Sequence, residues 1–119
     1  MNTKYNLEER LIDFSVSIIS FVESLPNTRT SNYLGNQLLR SGIAPALNYG
    51  EAQAAESRND FIHKMKICLK ELRESHNCLR ILYKSKNFSS EEKTLDLVNE
   101  CNELACIFYK SITTAQKNK

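Results

Sequence analysis

Residues 37–72 read QLLRSGIAPALNYGEAQAAESRNDFIHKMKICLKEL, and this stretch decides the fold. Leu38, Leu39, Ile43, Ala46 and Leu47 recur at helical steps of three and four residues. Two residues oppose that pattern. Gly42 costs about 1 kcal/mol relative to Ala inside a helix. Pro45 removes one backbone donor and crowds the turn before it. The apolar steps resume beyond both, so a helix kinked near residues 41–45 is expected, with two shorter helices as the alternative. Gly50, Ala52, Ala54 and Ala55 are small enough for close approach to another backbone. Phe61, Met65, Cys68, Leu69 and Leu72 then start a second stripe that continues through His76, Leu79 and Leu82. Ser57, with Asp60 three residues on, resembles a capping box in which Asp replaces Glu. Ala, Gln and Glu before it favour helix as well, so an unbroken helix through 52–58 is equally compatible with local propensity. An antiparallel arrangement requires a reversal at 55–57.

Outward from this stretch, Leu7, Leu11, Phe14, Ile18, Phe21, Val22 and Leu25 form an earlier helical face. Asn6 suits its N-cap, Glu8 and Glu9 suit its first turn, and Pro26-Asn27 ends it. The next helix is expected to start near Thr30-Ser31-Asn32. On the C-terminal side, Ser89 and Glu92 read as a capping box, followed by a face of Leu95, Val98, Cys101, Asn102, Ala105, Phe108 and Ile112. Gln116–Lys119 are expected to fray. Four amphipathic segments with short connections predict an all-α fold: an antiparallel up-down four-helix bundle, kinked in its second helix, filling residues 1–119 as one domain. Ile12, Val16 and Ile19, with Tyr83, Ile107 and Tyr109, lie off the main stripes, and self-association is the expected use of this surplus.

Composition excludes several classes. The 119 residues carry 16 Lys and Arg against 14 Asp and Glu, so total charge alone demands no polyanionic partner. Apolar runs fall well short of the roughly 20 residues needed to span a bilayer, which predicts no membrane association. The N-terminus shows no apolar leader core, so a cytoplasmic location is expected. Cys68, Cys78, Cys101 and Cys106 lack the paired spacing of a zinc site and read as small hydrophobes. His63 and His76 stand thirteen residues apart, about 20 Å along one helix, too far to share a metal. His76 reads as a core residue and His63 as surface. No metal and no cofactor is expected.

The same 37–72 stretch resembles a bacterial four-helix-bundle family associated with intervening sequences of large-subunit ribosomal RNA genes. The resemblance rests on Gln37, Leu38, Arg40, Ser41, Asn48, Glu51, Ala52, Glu56, Ser57, Asp60, Phe61, Lys64, Leu69, Lys70 and Glu71. It is dense over the central third and only a matter of pattern in the flanking helices. Pro45 departs from the small or aliphatic residue expected there. The family is similar to the accessory protein of diversity-generating retroelements, a basic homopentamer that binds nucleic acid and a reverse transcriptase. The resemblance therefore implies a ring of five, with RNA or a nucleic-acid enzyme as partner.

Two polar sets stand out. Arg40, Asn48, Glu51, Asp60 and Glu71 are placed to form a structural ion-pair and amide network between the second and third helices or across a subunit interface. Nothing in them points to the cleft and differently tuned carboxylates that glycoside chemistry needs, so no catalytic residue is assigned. The second set is basic. Residues 57–86 hold eight Lys and Arg against three acids, a local balance of +5, whereas residues 87–109 balance at −4. Lys66, Lys70 and Arg73 follow three- and four-residue spacing and form a ridge, and with Arg58 and Lys64 they are the candidate nucleic-acid contacts. A solvated helix face with Lys70 paired to Glu74 is the plainer reading. The sequence thus predicts a non-enzymatic oligomeric scaffold that binds RNA through helix three, with a protein-interaction module that binds no nucleic acid as the alternative.

Overall fold

A computed structural model describes residues 6–118. It contains four helices, α1 Leu7–Glu23, α2 Arg29–Gln53, α3 Arg58–Lys84 and α4 Glu91–Lys117, with no strand among the described residues. Each start is fixed by a side-chain oxygen that takes up an otherwise unpaired amide. Asn6 accepts from the amide of Glu9, Thr28 from Ser31, Ser57 from Asp60 and Ser90 from Lys93. Thr28 places the start of α2 at Arg29, just before the expected one. At Ser57 the chain is extended, so α3 starts afresh and the 55–57 reversal is present. α2 passes through Pro45 without interruption, which sets aside the two-helix alternative.

The cap of α4 is a correction. Ser90, and not Ser89, holds the N-cap, while the Ser89 hydroxyl donates to Ser24 Oγ across the bundle end. The reason lies in the turn before it. Lys86 adopts a left-handed φ of 58°, the amide of Asn87 bonds to Leu82 O, and that of Lys86 bonds to Tyr83 O. This Schellman closure of α3 carries the chain one residue further before α4 begins. The inward face of α4 shifts as well. Thr94, Leu97, Cys101, Leu104, Phe108 and Ile112 are buried, whereas Leu95 and Asn102 of the expected stripe are exposed and Val98 and Ala105 only half-buried. α4 also stays helical through Lys117, where fraying was expected; Lys119 lies outside the described residues.

Helices pack as a ring, α1 against α2, α2 against α3, α3 against α4, and α4 against α1, with the last seam the thinnest. Cross-links at both ends of the seams show that neighbours run antiparallel. Ser15 meets Gly42 while Val22 meets Gly35, and Lys64 meets Glu51 while Ser31 meets Asn87. Leu11, Ile18, Leu38, Leu72, Leu79, Leu82, Leu104 and Phe108 are almost wholly sealed from solvent. Each contributes about 1.5–3 kcal/mol of burial. Gly42 permits the α1–α2 contact: a Cβ there would lie 2.9 Å from Ile18 Cγ2.

Three cysteines match the expectation of buried small hydrophobes, and Cys106 does not, being exposed. Burial pushes the Cys68 and Cys101 thiols up to about 12, so both stay protonated and inert. His76 is also displaced from its expected place. It stands half-buried at the rim of the α3–α4 groove and not in the core.

Candidate functional site

The organising feature of the surface is where the acids point. On α3, Glu71 is buried and accepts from Arg40 Nη1 at 2.9 Å, and Glu74 pairs with Arg40 Nη2. Both therefore face α2. Arg40 is held above its ordinary guanidinium value, first by its hydrogen bond to Glu71. On α4, Glu100 and Glu103 face α1, where Arg10 bonds to both, at 2.8 Å and 2.9 Å. The Glu100 hydrogen bond is the main reason the Arg10 guanidinium is held above its ordinary value. Asp96 also faces α1, lining a groove of about 560 Å³ with Asp13, Ser17, Ser20 and Lys93 over a floor of Phe14 and Phe21.

With Glu71 and Glu74 of α3 turned to α2, and Asp96, Glu100 and Glu103 of α4 turned to α1, the surface between those two helices is left to other residues. His63, Lys66, Lys70, Arg73, Asn77, Arg80 and Lys84 are all exposed and follow alternating steps of three and four. They form one ridge about 30 Å long on α3, without an acid in it. Glu74, beside Arg73 in the chain, is held by Arg40; Asp60 lies one turn before His63, and at the other end Tyr83 OH donates to Glu91. Beside the ridge, α4 contributes Asn102, Cys106, Tyr109 and Lys110 to a groove of about 420 Å³ whose α3 wall is Arg73 and His76.

Of the five basic residues predicted from sequence, Arg58, Lys66, Lys70 and Arg73 are exposed and, among the described residues, outside any ion pair. Lys64 differs: it donates to Glu51 at 2.6 Å. Glu74 is occupied by Arg40, so Lys70 is not held by an i,i+4 partner. The polar set divides in two. Arg40 and Glu71 come together with Glu74, and Glu51 pairs with Lys64 three turns away. Asn48 donates to Ala44 O within its own helix, and Asp60 contributes its backbone amide to the Ser57 cap. Sequence reading missed Glu74, the Arg10 clamp, and Arg80 and Lys84 as members of the ridge. Helical spacing carried the signal for the last two, since both continue the Lys66-Lys70-Arg73 steps.

The α1–α2 side is of opposite character. Ile12, Val16 and Ile19 are exposed on α1. By the register that sets Ser15 and Ile18 against Gly42, they stand level with Ala46, Ile43 and Leu39 of α2. Leu47, 66% exposed, extends this apolar strip. Among the described residues, no group of three or more His, Cys, Asp or Glu is placed to hold a metal ion, and no helix is long and apolar enough to cross a membrane.

Fold and surface together define a four-helix bundle with a basic outer face on one side and an apolar one on the other. The chain belongs to the family of 23S rRNA-intervening sequence proteins, whose family model matches residues 4–110. It is similar to a crystal structure of a protein of unknown function from the S23 ribosomal protein family of Bacteroides thetaiotaomicron. That similarity has a TM-score of 0.82 and 29% identity, and it covers 90% of this chain and 98% of the other. No curated protein matches the chain.

Proposed function

We propose that this protein is a non-enzymatic oligomeric scaffold that binds RNA through the exposed face of α3. The observation that carries this reading is the acid-free ridge from His63 to Lys84, whose flanking carboxylates are taken up by Arg40 on one side and by Arg10 on the other. Such a ridge meets a phosphate backbone without like-charge repulsion and carries no pattern for reading bases in a groove. Binding is therefore backbone-directed and steeply weakened by salt. Family membership supports an RNA-related setting, and a ring of copies repeats the ridge around a common surface. Fluorescence anisotropy with mixed-sequence RNA at about 50 and 200 mM salt tests this. The expected result is binding at the lower concentration that is lost at the higher; absence of binding at both overturns it.

A second reading is a protein-interaction module without nucleic acid, and the apolar strip of Ile12, Val16 and Ile19 favours it. In the scaffold reading the same strip joins copies of this chain. Light scattering separates the two. An oligomer that Val16→Asp reduces to the 13.7 kDa monomer supports self-association, and a wild-type monomer removes it.

A further inference from the structure

The groove between α3 and α4 contains chemistry that a phosphate-binding ridge does not need. Tyr109 is 57% exposed on its α4 wall. Asn102 presents an exposed amide seven residues earlier on the same helix, about 10 Å away along the axis. Arg73 and Lys110 supply cations to the same concavity, and His76 completes the α3 wall. The Cys101 thiol donates to Leu72 O, and Tyr83 OH donates to Glu91. This antiparallel register sets Asn102 level with Leu72 and Tyr109 level with Met65, so Arg73 lies one residue along from the amide, and Lys110 adjoins the ring. Among its lining residues none is acidic.

An aromatic face, an amide with both donor and acceptor, and flanking cations suit a nucleobase and its phosphates. Single-stranded nucleic acid is held in this way, with bases stacked on aromatic side chains and the backbone tracked by positive charge. A duplex keeps its bases stacked inside and uses the cations alone. An acidic homopolymer such as polyglutamate likewise has no aromatic face to set against the ring.

We propose that this groove takes one unpaired base of a single-stranded nucleic acid. The base stacks on Tyr109, its edge bonds to Asn102, and its flanking phosphates lie between Arg73 and Lys110. The subsite rests on the reading of the α3 face as a nucleic-acid surface and adds to it a preference for unpaired strands. His76 contributes a rim hydrogen bond. Burial and then Arg80 hold its imidazole below its ordinary value, which favours the neutral form.

The test is anisotropy at low salt with fluorescein-labelled decauridylate and with the same strand paired to its complement, using the intact protein. The single strand binds more tightly than the duplex. Tyr109→Ala weakens the single strand about fivefold or more, and Tyr109→Phe restores it. Duplex binding and Tm stay unchanged in both variants. Decauridylate also slows iodoacetamide alkylation of Cys106, the one exposed thiol of the four cysteines. Equal affinity for the two ligands, with Tyr109→Ala silent, overturns the subsite and leaves the α3 surface standing. Binding of neither ligand overturns both. Displacement of decauridylate by polyglutamate as readily as by unlabelled decauridylate overturns the nucleobase assignment.

Discussion

The outer face of α1 and α2 and the outer face of α3 and α4 are built from the same helical geometry and end with opposite surfaces. On the first, small and branched residues bring two helices together at Gly42 and leave Ile12, Val16 and Ile19 outside. On the second, long cationic side chains stand clear of the bundle while Glu71 and Glu74 of α3 and the acids of mid-α4 are turned away. The difference teaches that local charge counts along a chain can mislead. Residues 87–109 are acidic in sum, yet Asp96, Glu100 and Glu103 sit on the α1 side and do not offset the ridge. An electrostatic surface is decided by azimuth around each helix.

The contrast can be broken first at the ridge. Replacing Lys66, Lys70 and Arg73 together by Glu is expected to lower RNA affinity by about 100-fold or more at low salt and to flatten the salt slope by about three. Circular dichroism melts should move little, because all three residues are exposed. The α1–α2 side responds in the other currency, stability. Gly42→Val drives a branched side chain into Ile18 and is expected to cost about 3 kcal/mol, a Tm loss of about 10 °C, with RNA affinity of the folded protein retained. Gly50→Ala is its control. A Cβ there meets nothing within 4 Å, so helix propensity should raise stability by about 1 kcal/mol. The smallest effect concerns pH. The imidazole of His76 is held below its ordinary value, so stability is full above about pH 6.5 and falls as pH drops through that value. Thermal melts between about pH 7.5 and 5 should show a Tm loss of only about 1–2 °C from this group, given its partial exposure, and His76→Gln should remove it.

Much of the fold was legible from sequence, for definite reasons. Asn6 and Ser57 combine a capping side chain with acidic residues just beyond, and both caps are present. The inward steps of α1 hold Leu11, Phe14, Ile18 and Phe21, and those of α3 hold Met65, Cys68, Leu69, Leu72, Leu79 and Leu82, which leaves little choice of face. α4 was harder to read. Two adjacent serines compete for its cap, and Leu95, Leu97, Val98 and Leu104 permit two faces one residue apart. The Schellman turn at Lys86 decides between them, and a Lys in a left-handed conformation has no sequence signal, since Gly is the usual occupant. Of the candidate site, the ridge core was readable because it lies on one helix. Pairing was not: Arg40 chooses Glu71 and Glu74 over Glu51 because α2 and α3 set it level with them, a matter of register between helices.

The thin α1–α4 seam bears on how the molecule comes apart. α1 is joined to α4 by the Arg10 clamp, the Ser24–Ser89 bond and the rim of an open groove, whereas α2 and α3 are interlocked along their length. Cooperative openings in native proteins follow such differences in packing. Amide protons of α1 therefore exchange with deuterated solvent before those of α3, and the ridge on α3 keeps its spacing during excursions that release the first helix.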